Sequence, residues 1–183
     1  MKSITILEQL GADQQEDQGA GIRVADEVVD AVLKYAGIPP EEYCLRGTGM
    51  KQLTHTGAVA IEVKQTAWTT VWRQFFAALL KKYQSLESCH YRRDCGVRDL
   101  VDNGSTVKVV YASRAGKEES IEADLVVGAD GISSTVRKIL VPEVRRVSAG
   151  YSIIRGLVQT ADLNSEMLDY ANTMGVFCTT RGT

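Results

Sequence analysis

The chain has 183 residues, enough for one domain or slightly more, and 44% of them are hydrophobic and 24% charged, as in ordinary globular proteins. The net charge of −2 gives no electrostatic basis for a nucleic-acid or anionic-membrane partner. No apolar run approaches the roughly 20 residues of a transmembrane helix, and Glu8 interrupts the first run too early for an export signal, so we expect a cytoplasmic protein.

The N-terminal part of the sequence predicts a strand, a helix and two further strands. The β-branched run Ser3–Leu7 predicts a strand that ends at Glu8. Residues 26–36 predict a helix that stops at Gly37. Its apolar face would contain Val28, Val29, Val32 and Leu33. Short strands are expected at 43–45 and 59–63, around a connection rich in Gly and Thr.

The clearest helical pattern covers residues 67–83. Its apolar residues recur at steps of three and four: Trp68, Val71, Trp72, Phe75, Leu79, Leu80 and Tyr83. Thr66 is the expected N-cap, and Lys81 and Lys82 suit the C-terminal end of the helix dipole.

The second half of the sequence predicts mostly strands. Residues 96–101, 106–113 and 119–124 predict three antiparallel strands joined by Gly-containing turns. A buried strand at 125–129, an Asp-Gly turn and a helix at 133–140 follow. Residues 151–158 and 174–180 predict strands of a second sheet.

The turn at Asp130 and Gly131 is the best candidate for a binding site. Asp130 could accept hydrogen bonds from ligand hydroxyls, and Gly131 would let a bulky ligand approach the backbone. The helix that follows would offer free N–H groups to a phosphate, and α/β sheets bind nucleotides at such strand ends. Asp-Gly is also a common turn, so these residues alone leave a purely structural role open.

The cysteines and histidines give little sign of a metal site. Cys89, His90 and Cys95 cluster in sequence, but their spacing matches no zinc pattern. Buried free thiols are the better interpretation, and His55 is expected on a surface loop.

The segment around the turn resembles the second FAD-binding signature of the aromatic-ring hydroxylases, the flavoprotein monooxygenases related to para-hydroxybenzoate hydroxylase. An apolar strand is followed by the signature residues Gly128, Ala129, Asp130, Gly131, Ser134, Val136 and Arg137. The resemblance implies FAD as cofactor, with Asp130 and Gly131 at the ribityl and pyrophosphate groups. Arg137 is expected to brace the turn rather than to touch FAD.

Other segments resemble the same family in the same order. The resemblance implies that Glu8 holds the adenosine ribose, that Gly21 lies near the flavin, and that Arg73 reaches the cofactor. It also implies that the backbone of Val97 meets the adenine. Without the family context, Glu8 would be a solvated strand end and Arg73 an exposed helix residue.

The sequence also departs from the family pattern. The Gly-x-Gly-x-x-Gly motif that cradles the pyrophosphate is absent, and the chain starts at what resembles the second strand. The later Gly-Asp motif of the family is absent too. An apolar sheet edge is therefore expected at the first strand, which a partner chain would cover or which would aggregate.

We therefore predict an α/β fold made of a partial Rossmann-like FAD-binding domain with an antiparallel β insertion, followed by the start of a β-sheet substrate domain. The predicted domains are 1–148 and 149–183. The resemblance implies NAD(P)H-dependent hydroxylation of an aromatic or similar small molecule. The alternative is a catalytically inactive monooxygenase remnant that acts as an accessory or interaction protein, or an incomplete gene product. No catalytic base is identified.

Overall fold

The computed structural model describes residues 2–12, 21–153, 159–168 and 173–177. The chain divides into two compact units, of which the first combines Met1–Glu16 with Leu86–Ala149 and the second combines Asp17–Ser85 with Gly150–Thr183. The described residues combine helices with parallel and antiparallel strands, which confirms the predicted α/β class. The assignment of 1–148 and 149–183 to cofactor and substrate domains stays a prediction.

The first unit contains a parallel strand pair. Strand β1 (Ile4–Leu7) pairs with β7 (Cys89–Arg92), with Ile4 opposite Cys89 and Leu7 opposite Arg92. The β-branched residues of β1 favour the extended backbone, and the strand predicted there is confirmed. Ile4 is 57% exposed, and β1 has β7 as its one strand neighbour within the described part of the chain.

An antiparallel sheet of three strands forms the rest of the regular β structure in this unit. Its strands are β8 (Gly96–Asp102), β9 (Val107–Ala112) and β10 (Glu118–Ala123), in the order β10-β9-β8. Val109 and Tyr111 of the central strand are both buried. This sheet confirms the three strands predicted from the alternating pattern and the glycine turns. A bulge between Val97 and Asp99 interrupts the β8–β9 register.

The strand predicted at residues 125–129 is wrong. These residues form no strand, and Leu125 and Val127 are 77% and 78% exposed. A strand requires a neighbour that accepts and donates ladder hydrogen bonds, and no described segment pairs with this one. The helix expected next is present as α3 (Thr135–Leu140), which follows in the same unit. The helices of the described residues are numbered α1 to α4 in chain order.

The second unit contains a sheet with the order β2-β6-β3. Its strands are β2 (Gly21–Val24), β3 (Leu45–Gly47) and β6 (Ala67–Val71), and both neighbours run antiparallel to β6. The helix predicted from residue 67 is therefore wrong over its first five residues, because α2 spans Trp72–Gln84. Thr69, Thr70 and Val71 are β-branched, and β6 pairs with β2 on one side and with β3 on the other. This pairing outweighs the helical spacing of the apolar residues. The N-cap of α2 is Val71 rather than Thr66, while Lys81 and Lys82 lie in the last turn as predicted.

The core of the second unit lies around the first helix and α2. Helix α1 (Asp26–Val28) continues as a π-helical turn over Val29–Lys34, and Gly37 follows in a left-handed conformation with φ of 69°. Val29 and Leu33 are fully buried, whereas Val28 and Val32 are 41% and 38% exposed, so only half of the predicted apolar face is internal. The buried cluster contains Val24, Val29, Leu33, Ile38, Cys44, Phe75 and Ala78.

The second unit also contains a further sheet of three strands. Strand β4 (Gly49–Leu53) pairs antiparallel with β5 (Val59–Val63) and parallel with β11 (Thr173–Phe177). Strand β5 was predicted from the sequence and β4 was not. The strand expected at 43–45 lies two residues later as β3. A 3-10 turn at Pro40–Glu42 precedes β3, and His55 is exposed in the β4–β5 turn as predicted.

The C-terminal predictions are only partly covered. Residues 151–153 form no strand, and 154–158 lie outside the described residues. A 3-10 turn (Thr160–Asp162) and the short helix α4 (Ser165–Leu168) precede β11, which overlaps the strand expected at 174–180 over residues 174–177. Residues 178–180 lie outside the described residues. Over the described ranges, no helix is long and apolar enough to cross a membrane.

Candidate functional site

The turn before α3 is organised around the carboxylate of Asp130. Its Oδ1 accepts a hydrogen bond from the Ser134 hydroxyl, and its Oδ2 accepts from the backbone N–H groups of Thr135 and Val136 at 2.6 and 3.1 Å. A carboxylate in this position satisfies N–H groups that have no partner within the helix and interacts favourably with the helix dipole. Asp130 therefore fixes the start of the helix.

Ser134 and Arg137 complete the same turn. Ser134 is the N-cap, and its Oγ accepts a hydrogen bond from the N–H of Arg137 at 2.9 Å. The guanidinium of Arg137 donates to the carbonyls of Gly131 and Ile132 at 3.3 and 2.5 Å. Arg137 thus braces the turn, as predicted from the sequence.

The helix N–H groups that were expected to be free for a phosphate are already hydrogen-bonded in the first turn of α3. The N–H groups of Thr135, Val136 and Arg137 are all accepted by side chains of the turn itself. The donors that stay available are earlier, since the N–H groups of Gly131, Ile132 and Ser133 have no partner among the described residues. A ligand would therefore meet the turn and not the end of the helix.

The pKa of Asp130 is lowered from its ordinary value. Desolvation alone would raise this pKa, but hydrogen bonds from the Ser134 hydroxyl and from the backbone N–H groups of Val136 and Thr135 outweigh it. The carboxylate is therefore ionised at neutral pH, and its charge is directed to the turn.

The two glycines of the turn are required for different reasons. A Cβ on Gly128 would lie 2.7 Å from Cγ1 and 2.8 Å from Cβ of Val136, so this glycine allows the helix to pack on the chain before the turn. Gly131 has φ of 74°, a left-handed conformation that side chains with a Cβ rarely adopt. No atom lies within 4 Å of the position of a Cβ on Gly131, so this face of the turn is open.

Glu8 directly follows β1 and lies at a junction of chain segments. Its N–H donates to the carbonyl of Arg92 at 2.9 Å, and its own carbonyl accepts from the N–H of Cys95 at 2.8 Å. Its Oε1 accepts from the N–H of Leu10 at 2.9 Å. Its Oε2 has no partner among the described residues, so one carboxylate oxygen is available to a ligand.

Val97 lies close to this junction. It is the second residue of β8, two positions after Cys95, and a Cβ on its neighbour Gly96 would lie 3.8 Å from Cβ of Gln9. Val97 is paired in register with the buried Tyr111, whose hydroxyl accepts from Arg92 at 3.0 Å and donates to Glu119 at 3.1 Å. The structure therefore brings Glu8 and Val97 to one corner of the first unit.

Gly21 and Arg73 belong to the second unit and lie close together along its sheet. Gly21 begins β2 and is the register partner of Val71, which directly precedes α2. Arg73 is the second residue of α2, is exposed, and has no ion-pair partner among the described residues. A cation in the first turn of a helix is unfavourable with respect to the helix dipole, so local stability does not explain it.

Two polar residues with well-defined contacts were not predicted from the sequence. Asp94 is the one residue other than glycine with positive φ, 57°, in the described part of the chain. Arg46 donates to Asp26 at 2.5 Å and to Thr66 at 3.2 Å, and its guanidinium lies 4.9 Å from the ring centroid of Trp68. The sequence signal for Asp94 was an Asp two residues before Gly96, just ahead of the strand predicted at 96–101, since Asp tolerates the left-handed region. Arg46 carried no comparable signal.

The cysteines show no metal site in the described residues. No group of three or more His, Cys, Asp and Glu side chains there has a metal-binding arrangement. Cys44 is buried, Cys89 and Cys95 are partly buried, and all three are free thiols. Cys178 lies outside the described residues. Desolvation is the main reason that the pKa values of Cys44 and Cys95 are raised.

Three solved structures illustrate the similarity of this fold to known proteins. 2,6-Dihydroxypyridine-3-hydroxylase from Arthrobacter nicotinovorans matches 95% of this chain at 21% identity with a TM-score of 0.70. The chain spans 48% of that protein. p-Nitrophenol 4-monooxygenase from Pseudomonas putida DLL-E4 matches 74% of this chain at 15% identity with a TM-score of 0.59, and the match covers 36% of that protein.

CtdE, solved in complex with FAD and a substrate, matches 75% of this chain at 14% identity with a TM-score of 0.60, and the match covers 34% of that protein. At these identities the likeness establishes the fold. No curated protein matches the chain. The family model of the FAD binding domain matches residues 1–171, nearly the whole length. The chain therefore belongs to the FAD-binding-domain family, whose cofactor is FAD.

Proposed function

We propose that the chain is the FAD-binding part of a flavin monooxygenase that hydroxylates an aromatic or similar small molecule with NAD(P)H and dioxygen. Membership of the FAD-binding-domain family supports the cofactor, and the fold shared with two hydroxylases supports the reaction class. The observation that carries the proposal is the turn at Gly131, which is open on one face and has free N–H groups. The proposed location is the cytoplasm, where NAD(P)H is available.

The residues of the first unit fit the adenosine and the ribityl–pyrophosphate parts of FAD. The available Oε2 of Glu8 can accept hydrogen bonds from a ribose diol, and Val97 offers backbone groups at the same corner. The N–H groups of residues 131–133 suit the oxygen atoms of the ribityl–pyrophosphate part, and the absence of a Cβ at Gly131 allows close approach.

The structure changes the role proposed for Asp130. Its carboxylate already accepts three hydrogen bonds from α3 and its N-cap. We therefore assign to Asp130 the positioning of the turn, so that the N–H groups of residues 131–133 face the cofactor. One further acceptor position on Oδ1 is free for a ligand hydroxyl.

Gly21 and Arg73 are proposed for the flavin side. The exposed guanidinium of Arg73 has no competing carboxylate in the described residues, so it is free to bind a polar edge of the cofactor. Gly21 has no atom within 4 Å of a Cβ position, which leaves room beside the backbone of β2.

FAD, when bound, supplies the redox chemistry, since it takes up a hydride from NAD(P)H and activates dioxygen. The residues of this chain bind and orient it. No described residue is assigned as a catalytic acid or base.

A second candidate function is favoured by the exposed apolar side chains of the first unit. Leu125, Val127 and Ile132 are each more than 70% exposed, and Ile4 is 57% exposed on β1. Exposed apolar clusters and free strand edges are typical of surfaces that pair with another chain. In this alternative the chain is a non-enzymatic accessory protein that binds a partner chain through these residues.

Flavin binding separates the two candidates. We would purify the 183-residue chain, incubate it with excess FAD, remove free flavin by gel filtration and record the visible spectrum together with far-ultraviolet circular dichroism. The proposed function predicts stoichiometric flavin that travels with the folded protein. A folded, colourless protein would contradict the FAD-binding role and favour the accessory protein.

Asp130→Ala is expected to release the flavin while the rest of the fold persists. The matched control is Asp124→Ala, which removes a carboxylate from the same segment. Asp124 accepts no hydrogen bond among the described residues, so flavin retention should equal that of the unchanged chain. Equal retention by both variants would contradict the role assigned to Asp130.

A further inference from the structure

Asp94 has an unusual backbone conformation at a point where three chain segments meet. Its φ of 57° places it in the left-handed region. Its N–H donates to the carbonyl of Leu10 at 3.3 Å. Its Oδ1 accepts from the N–H of Arg114 at 2.9 Å. The loop between β7 and β8 is thus tied both to the chain after β1 and to the β9–β10 turn.

The same residue determines where the next three residues lie. Cys95 donates its N–H to the carbonyl of Glu8 at 2.8 Å, and Gly96 and Val97 begin β8 directly afterwards. A change in the backbone of Asp94 would therefore move Cys95 away from Glu8 and shift the start of β8. The corner that contains Glu8 and Val97 depends on this one conformation.

The ion pair between Asp94 and Arg114 is too weak to explain the left-handed backbone at Asp94. Arg114 Nε lies 3.9 Å from Oδ1, and both side chains are more than 40% exposed, so solvent screens the attraction. The hydrogen bond from the Arg114 backbone N–H is the stronger contact. A left-handed conformation is uncommon for a residue with a Cβ and persists where its surroundings determine it, as at ligand sites.

We propose that Asp94 is a positioning residue for the adenosine half of FAD. Through its backbone and its bond to Arg114, it holds the Glu8 carboxylate and the Val97 backbone at one corner. It does not itself contact the ligand. This inference rests on the proposed function, which places the adenosine at Glu8 and Val97.

Three variants of Asp94 separate the contribution of its hydrogen bond with Arg114 from that of its left-handed backbone conformation. Asp94→Asn keeps an Oδ1 acceptor and tolerates the left-handed region, so it should behave as the original residue. Asp94→Gly keeps the backbone conformation and loses the bond to Arg114. Asp94→Ala loses the bond and disfavours the conformation. The matched control is Asp102→Ala, which removes a comparable bond, from Gly104 N–H to Oδ1 at 2.7 Å, at the other end of β8.

The probe is ADP, which has the adenosine and diphosphate of FAD without the flavin, and binding is measured by calorimetry with the full chain. We expect ADP to bind Asp94→Ala about tenfold more weakly, because this variant loses the hydrogen bond from Arg114 and also disfavours the left-handed conformation. The ADP affinity of Asp94→Gly should lie between those of the unchanged chain and Asp94→Ala. The affinities of Asp94→Asn and Asp102→Ala should stay within about twofold of that of the unchanged chain. Hydrogen exchange of ligand-free Asp94→Ala should be faster at Cys95 and unchanged near Asp102.

The possible outcomes distinguish this inference from the proposed function. If the unchanged chain binds FAD and ADP and Asp94→Ala binds both equally well, Asp94 has no positioning role and the proposed function stands. If Asp102→Ala weakens ADP binding as much as Asp94→Ala, general sheet stability is the cause and the inference is overturned. If the unchanged chain binds neither FAD nor ADP, both the inference and the proposed function are overturned.

Discussion

Apolar side chains of the same kind have opposite environments in the two units. Leu33 of the second unit is fully buried within a cluster supplied by two helices and a sheet. Leu125 of the first unit is 77% exposed, although its sequence context is at least as hydrophobic. Burial of a side chain therefore depends on the elements available to cover it, and not on its hydrophobicity alone.

The largest expected effect tests this comparison directly. Leu33→Ala should lower the free energy of unfolding by about 2–5 kcal/mol, because it removes buried methyl groups and leaves a cavity. Leu125→Ala should change it by less than about 0.5 kcal/mol, since the side chain is exposed. Thermal and urea unfolding followed by circular dichroism would measure both. Equal losses would mean that Leu125 is packed in solution.

The glycines of the turn should give the next largest effects, from two different causes. Gly128→Ala places a methyl group 2.7 Å from Val136 and should cost about 1–3 kcal/mol of unfolding free energy. Gly131→Ala meets no atom but is forced to a φ of 74°, which should cost about 1–2 kcal/mol.

A double-mutant cycle separates the two causes. Val136→Ala should relieve part of the cost of Gly128→Ala and none of the cost of Gly131→Ala, because only Gly128 contacts Val136. Additive effects of Gly128→Ala and Val136→Ala would contradict the packing role of Gly128.

The smallest effect concerns the pH dependence of the turn. Because the folded state lowers the pKa of Asp130, the carboxylate stabilises the fold above the ordinary aspartate range of about pH 4, and this contribution is lost as the pH falls through the lowered pKa. Asp130→Asn should cost about 1 kcal/mol at pH 7, as for a lost helix cap, and progressively less in acid. Urea unfolding at several pH values measures the difference. A difference that is constant down to pH 2 would contradict the assignment.

The sequence predicted the elements whose signal is local. The β8–β10 sheet followed from alternation and from Gly104 and Gly116 in the turns, both of which have positive φ. The brace formed by Arg137 was also predicted. The motif residues of the turn were identified from family resemblance, but their internal hydrogen bonds were not, since a motif does not show which N–H groups its own side chains accept.

The errors arose where distant pairing decides the structure. Residues 67–71 have helical spacing but lie between β2 and β3, which supply ladder hydrogen bonds from residues far away in sequence. Residues 125–129 have strand composition but no neighbour among the described residues. Asp94 was missed because its conformation depends on Leu10 and Arg114, neither of which is near it in sequence.

The parallel pairing of β1 with β7 has a consequence for synthesis of the protein. All of the sheet β2-β6-β3 and the helix α2 lie between these two strands in sequence. During translation, β1 therefore emerges from the ribosome long before its partner, while the helices and the sheet of the second unit can already form. Closing so long a loop is slow, so we expect β1 to be captured late in folding and to be the segment most exposed to chaperones in the nascent chain.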